Sequence, residues 1–371
     1  MNHSSNDRNP DNEHLSSSVR PVTRHSGAKH ASHAAASSSG FVAADEGIRR
    51  VRKKKKQHKG LKIALGVLGA LIVVIAGAAI ALLLWTNSLS SSMAVNAEDK
   101  EALDKVLLKT SDNEPFYILL LGSDAREGDT ASRSDTMILT RVDPTTYTVT
   151  MVSIPRDTKV EIEGHGTQKI NAAYAFNGAA GAVEAVSDLA GVEISHYAEI
   201  HFEELETLID ELGGVWVDVP VSNNQTGSSN TGKSISAGEQ LLDGETALAF
   251  ARERYGYTRG DFQRAENQRI LVTAILKQVL AETPTEMPGT IQQLAKCVTT
   301  DYSIVDLVTL AQKFQSHTVT FYSCGVPSTT KTIDGVSYVL TTEPDWSEMM
   351  ELVDAGEDPN QDSSSDEDSD Q

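Results

Sequence analysis

Two blocks of arginine and aspartate carry the chemistry this chain can offer. The first runs GSDAREGDTASRSDT from Gly122 to Thr136 and reaches the SIPRD stretch ending at Asp157. The second, ARERYGYTRGDFQRAENQR, spans Ala251 to Arg269. Downstream of Trp85 there are nine arginines: Arg126, Arg133, Arg141 and Arg156 fall in or beside the first block, and Arg252, Arg254, Arg259, Arg264 and Arg269 in the second. A guanidinium is a planar fork that matches phosphate oxygens two at a time. Gathering such forks in an otherwise acidic region points to a bound polyanion, phosphate above all.

Asp124 stands just past an apolar run that reads as a buried strand, and sites in α/β folds form at such strand ends. Asp124 and Asp135, separated by a glycine-containing loop, could reach one hard cation. Mg²⁺ suits sparse carboxylate ligation completed by phosphate oxygens. The same residues also allow a turn at Asp124, with Asp135 capping a strand or pairing with Arg133. In the second block Asp261 falls at or near the N-cap of a helix over 262–281. Arg264 and Gln268 then share one face, four residues apart. Arg252 and Arg254 point the same way if their segment is extended. Several guanidiniums and helix-start amides could fork a pyrophosphate. Surface ion pairs with Glu253, Asp261 and Glu266 are the plainer alternative.

Other chemistry is weaker. GSSNTGKS (Gly227–Ser234) satisfies a phosphate-loop pattern, but no strand leads directly into it and two glycines follow where a helix should grow. It reads as a flexible surface loop. Ser123 lacks the G-x-S-x-G elbow of a serine nucleophile. His165 and His201 read as structural or solvent-facing, and Lys169 as a solvated lysine that could touch phosphate.

These residues need a scaffold. Strands are expected at 116–121, 136–142 and 147–154, the first apolar throughout as a strand covered on both faces should be. A helix around 179–189, a strand near 196–202, a helix over 203–212 and a strand at 215–221 follow. Helices at 244–251 and 262–281 carry the second block. The remainder reads helix, helix, strand, turn and a terminal helix near 346–353. The sum is an α/β fold with a mixed sheet between helices.

The bulk sequence sets the surroundings. Residues 1–60 and 356–371 are too polar to bury a core and read as a basic and an acidic disordered tail. Between them, 86–113 reads as a stalk and 114–355 as one domain. Ile63–Trp85 is 23 uncharged residues, long enough as a helix for a hydrocarbon layer of about 30 Å. The basic run RRVRKKKKQHKGLK (Arg49–Lys62) abuts its N-terminal side. The positive-inside rule therefore predicts a single-pass anchor with a cytoplasmic N-terminus, an extracellular domain and lysines against anionic lipid headgroups. Residues 1–62 carry 13 Lys+Arg against 5 Asp+Glu, or +8, and the total of −20 leaves −28 for the rest. So acidic a domain excludes nucleic acid as its general partner. Cys297 and Cys324 would lie in an oxidising compartment, where a disulfide would be worth about 3 kcal/mol; two buried thiols are the equal alternative.

The segments LLLGSDAR, RSDTMIL, SIPRDT, QKINAAYAFNG, LIDELGGVWVDVPV, LDGETALAFARER and GDFQRAENQR, in this order, resemble the LytR-CpsA-Psr family of envelope proteins. The resemblance implies a mixed sheet flanked by helices and Mg²⁺-dependent transfer of a glycopolymer from polyprenyl pyrophosphate to peptidoglycan. It implies Asp124 and Asp135 as magnesium ligands. Arg126, Arg156, Arg252, Arg254 and Arg264 would hold the pyrophosphate, with Asp261 and Gln268 completing the site. Asp124, Arg126, Arg156 and Asp261 would be catalytic, and apolar sheet and helix faces would house the lipid tail. Two positions depart from the family pattern. Asn267 stands where many members have arginine, so one phosphate contact fewer is expected, and Asn177-Gly178 replaces a commoner Gly-Gly. A non-catalytic polyprenyl-pyrophosphate-binding scaffold or regulator is the competing class.

Overall fold

Apolar strands from distant parts of the chain meet in one six-stranded sheet, and helices cover both of its faces. The structure, a computed structural model, describes residues 74, 76, 94–111, 113–123 and 134–361. The expectations for 1–60, for Ile63–Trp85 apart from Val74 and Ala76, and for Asp124, Arg126 and Arg133 lie outside the described residues. Among the described residues, no helix is long and apolar enough to cross a membrane.

The elements begin with α1 (Ala97–Val106), β1 (Phe116–Ser123), β2 (Ser134–Asp143), β3 (Thr148–Ser153), β4 (Lys159–Ile162), β5 (Gly166–Lys169) and α2 (Asn171–Ala190). Next come β6 (His196–His201), α3 (Phe202–Glu211), β7 (Val215–Val219), β8 (Gly238–Leu242), α4 (Gly244–Arg252), α5 (Asp261–Ala281) and α6 (Met287–Cys297). The chain closes with β9 (Val298–Thr300), α7 (Ile304–Gln315), β10 (Thr320–Gly325), β11 (Ser328–Ile333), β12 (Val336–Thr341) and α8 (Asp345–Ala355). The main sheet has the order β10-β3-β2-β1-β6-β9. β1 runs antiparallel to β2 and parallel to β6, and β10 runs parallel to β3, so the sheet is mixed as expected.

Alternation along β1 explains its all-apolar sequence. Tyr117, Leu119 and Leu121 face a core built with α2 and α8, including Val183, Val186 and Trp346. Phe116, Ile118 and Leu120 face the other side, with Val272 of α5 and Phe314 of α7. A third cluster joins α3, α4, α5, α6 and β7 through residues such as Ile209, Phe250 and Leu271. Leu103 of α1 is buried in the first core, so that part of the presumed stalk packs on the domain. Helix α2 is kinked at Asn177 and Gly178, where Gly178 has φ 60 and ψ −149. A side chain strains that geometry, and the break falls at the Asn-Gly pair that departs from the family pattern.

Several expectations are corrected. The β4–β5 hairpin and β8 have no counterpart in the sequence reading, and what reads as a turn after β10 is a second hairpin, β11–β12. Cys297 and Cys324 are both free and buried. Burial pushes the thiols up, to about 11 for Cys297 and about 12 for Cys324, which makes them inert apolar fillers rather than nucleophiles.

Candidate active site

A cleft of about 240 Å³ brings the two blocks together. Its walls include Arg156 and Asp157, which follow β3, and Asp261, Arg264 and Gln268 from the first two turns of α5. Pro155 ends the strand register and turns the chain, and Thr158 locks that turn by donating its hydroxyl to the Pro155 carbonyl at 2.6 Å. Arg156 therefore leaves the sheet at the C-terminal end of β3 and lines the cleft. Lys169 is not a free phosphate hook, because it pairs with Asp157 at 2.8 Å.

Asp261 opens α5 rather than capping it; the N-cap is Gly260, with φ 53. One carboxylate oxygen of Asp261 meets Arg264 Nη2 at 3.1 Å and Arg254 Nη1 at 3.7 Å. This contact ties Arg254 to Arg264; Arg264 lines the cleft, whereas Arg254 lies over the Tyr255 ring and is not among the lining residues. The Arg264 side chain is only 13 % exposed, so its charge is poorly screened. The amide of Gln268 donates to the Ala251 carbonyl at 3.2 Å, tying α5 to the end of α4. Arg252 and Arg254 do not alternate along an extended segment: Arg252 is the last residue of α4 and is not among the residues lining the cleft.

Glu253 between them is fully buried and is held by a loop that reads as flexible in sequence. The hydroxyls of Ser229 and Thr231 donate to its carboxylate, as do the amides of Asn230, Arg254 and Gly256. Asn230 adds a second layer, accepting from the Arg254 and Tyr255 amides and donating to the Arg252 carbonyl. The Gly227–Ser234 segment is thus an anchored brace for the arginine arm, and it has no phosphate-loop geometry. Burial opposes the Glu253 charge, but these donors outweigh it and hold the carboxyl near about 2 instead of 4.5. A lowered carboxyl stabilises the fold fully above its ordinary range and loses that contribution as pH falls toward about 2. Glu253→Gln sets an amide against six donors, the Thr231 amide included. It is expected to cost about 3 kcal/mol and about 5–10 °C in Tm at pH 7, and to flatten the loss of stability between pH 4.5 and about 2. Thermal melts at neutral and acid pH test this, and an unchanged Tm contradicts it.

The remaining arginines separate by environment. Arg141 is buried against Asp143 at 3.2 Å, and Arg269 donates to Ser323 at 2.7 Å from inside the fold. Arg259 makes an ion pair with Glu266 at 2.5 Å. These three are structural, so the count of nine overstates the phosphate-facing set. Asn267 is also structural. It is fully buried and donates to the Phe250 carbonyl at 3.2 Å, so the side chain at this position does not line the cleft.

Asp124 and Arg126 lie outside the described residues, and so does the side chain of Asp135. The backbone around them is informative. Gly122 pairs with Thr136 but Ser123 pairs with Ser134, so Asp135 is the extra residue of a β-bulge directly across from the strand end that precedes Asp124. Bulges re-aim side chains at sites of this kind. Among the described residues, no three His, Cys, Asp or Glu side chains gather as a metal cluster. His165 stacks on Phe176, and His201 Nε2 lies 3.0 Å from the Thr299 hydroxyl, both away from the cleft lining.

Sequence reasoning offered Glu253 as a surface ion-pair partner, whereas it is buried among neutral donors, and it missed Asn230 and the β11–β12 wall. It also left open where a lipid would enter. An apolar slot of about 20 Å³, lined by Leu120, Leu121, Ile200, Leu205, Leu271 and Val272, shares Thr136 and Gln268 with the cleft.

Comparison with known proteins fits this arrangement. The chain is 40% identical over 221 residues to the polyisoprenyl-teichoic acid–peptidoglycan teichoic acid transferase TagU of Halalkalibacterium halodurans, covering 58% of this chain and 71% of the relative. The Enterococcus faecalis protein of the same name is 32% identical over 300 residues, 80% of this chain and 96% of the relative. The solved structure of TagT bound to LIIa-WTA superposes with a TM-score of 0.57 at 26% identity, covering 67% of this chain and 93% of that one. The model of the LytR_cpsA_psr family matches residues 81–354, and the chain belongs to the LytR-CpsA-Psr family.

Proposed function

We propose that this protein transfers a glycopolymer from polyprenyl pyrophosphate to peptidoglycan during cell-wall assembly, as the names of its relatives describe for them. The observation that carries the reading is the meeting of Arg156 with Asp261, Arg264 and Gln268 in one cleft that adjoins an apolar slot. A diphosphate suits the guanidinium forks, and the apolar lining suits a polyprenyl chain in character, although the slot of about 20 Å³ would have to widen to hold one.

The acceptor hydroxyl attacks the phosphorus bonded to the glycan. A new O–P bond forms, the bridging P–O bond breaks, and polyprenyl phosphate leaves with the electron pair. Arg156, Arg254 and Arg264 stabilise the charge that grows on the leaving phosphate, and the family resemblance implies the same role for Arg126. Asp261, engaged by two guanidiniums, orients Arg254 and Arg264. Asp124 is then the carboxylate left to take the hydroxyl proton. By the family resemblance Asp124 and Asp135 would hold Mg²⁺, a hard cation suited to carboxylate oxygens, which would neutralise pyrophosphate oxygens.

Ile63–Trp85 is proposed as a membrane anchor that leaves the domain outside the cell, with Arg49–Lys62 against cytoplasmic headgroups; the charge asymmetry of the two flanks supports it. Mass spectrometry of the purified full chain after incubation with polyprenyl pyrophosphate tests the binding half of the proposal. Bound lipid is expected on the wild type and lost from Arg264→Ala. A wild type that retains none contradicts it.

A further inference from the structure

We infer that the β11–β12 hairpin is a saccharide subsite, gripping the sugar ring next to the phosphorus under attack. The inference rests on the transferase reading and deepens it by giving the glycan a place in the cleft.

The two strands are joined by Asp334-Gly335, both at positive φ (50 and 83), which is the two-residue turn that fits the strand twist. Register then fixes which side chains share a face. Ser328 lies opposite Thr341, Thr330 opposite Val339, and Thr332 opposite Ser337. Five of these six positions carry a hydroxyl. Thr330, Ser337 and Val339 from this face line the same cleft as Arg156, Arg264 and Asp261.

The hairpin is docked there. The Val339 amide donates to the Asp157 carbonyl at 2.9 Å, and Val339 forms a bridge to Thr158, so the wall is tied to the residue after Arg156. Val339 is the buried anchor, while Thr330 and Ser337 stay exposed with their hydroxyls free of any protein requirement for packing.

Chemistry selects the occupant. Guanidinium groups suit the phosphates, and apolar faces suit the lipid. A neutral face of hydroxyls that both donate and accept suits neither, but it matches the hydroxyls of a sugar. Such a ring has two sources: the first residue of the lipid-linked donor glycan, or the peptidoglycan sugar that supplies the attacking hydroxyl.

The paired variant Thr330→Val with Ser337→Ala keeps shape and removes two hydroxyls, and neither residue packs in a core. With the purified full chain, the KM for one saccharide substrate is expected to rise about ten-fold from two lost neutral hydrogen bonds, with kcat within about two-fold. Affinity for glycan-free polyprenyl pyrophosphate is expected to stay at the wild-type value. A rise confined to the lipid-linked donor assigns the donor sugar, and a rise confined to peptidoglycan assigns the acceptor; either supports the subsite. Unchanged KM for both substrates overturns it, as does an equal loss of affinity for the glycan-free lipid. If the wild type binds polyprenyl pyrophosphate and transfers polymer but this variant is indistinguishable from it, the subsite alone has failed. If the wild type binds neither lipid, the transferase reading fails and takes the subsite with it.

Discussion

Arg264→Ala is expected to lower polymer transfer by about 100- to 1,000-fold in kcat/KM while leaving the fold intact. The side chain is mostly buried at the cleft wall and carries a fork aimed where the leaving phosphate gathers charge. Removing one such donor from a water-poor site costs about 3–4 kcal/mol of transition-state stabilisation. Arg264→Lys restores the charge without the fork, so only partial recovery is expected. The loss of the 3.1 Å contact to Asp261 adds to the effect, because Asp261 is then left with Arg254 alone at 3.7 Å. Steady-state kinetics with lipid-linked glycan check this, with thermal melts reporting on the fold. Wild-type kcat/KM would remove Arg264 from the phosphate site.

Asp124→Ala is expected to abolish transfer, a fall of about 1,000-fold or more, with unchanged thermal stability. Asp124 follows the end of β1, and its partner Asp135 stands on the bulge opposite. The loss is expected to fall on chemistry rather than folding. Asp135→Asn should be milder, because one ligand of two is retained in shape; the Mg²⁺ needed for half-maximal rate should rise by about ten-fold. Full transfer by purified Asp124→Ala would remove both the metal and the proton-acceptor roles.

The parts of the fold driven by burial were legible in the sequence. β1 is apolar at every position that faces either core, and the helices carrying the second block start and stop within a residue or so of their expected ends. The hairpins were not legible, for a physical reason. β11 reads Ser-Thr-Thr-Lys-Thr-Ile, with no alternation of apolar and polar residues, because it packs through its partner's Val339 and presents hydroxyls to a cleft. Asp334-Gly335 was the available signal. Asn267, expected from the family pattern to offer one phosphate contact fewer, serves the end of α4 with its amide from a fully buried place. Glu253 reads in sequence as a surface ion-pair partner, and its burial was not legible because its hydroxyl donors come from a loop 22 to 24 residues upstream.

The same separation explains why Arg252 and Arg254 were read as a flat alternating pair. Spacing alone cannot reveal that α4 continues to Arg252 and that Glu253 then turns inward. What spacing did reveal was the pairing of distant blocks, since Arg156 and Arg264 do line one cleft.

The most direct test is turnover by the purified full chain with lipid-linked glycopolymer, peptidoglycan and Mg²⁺, following the lipid product. The account predicts polyprenyl phosphate released in step with polymer joined to peptidoglycan, and none without acceptor. Binding of the lipid-linked polymer with no release under those conditions would contradict it and leave a scaffold.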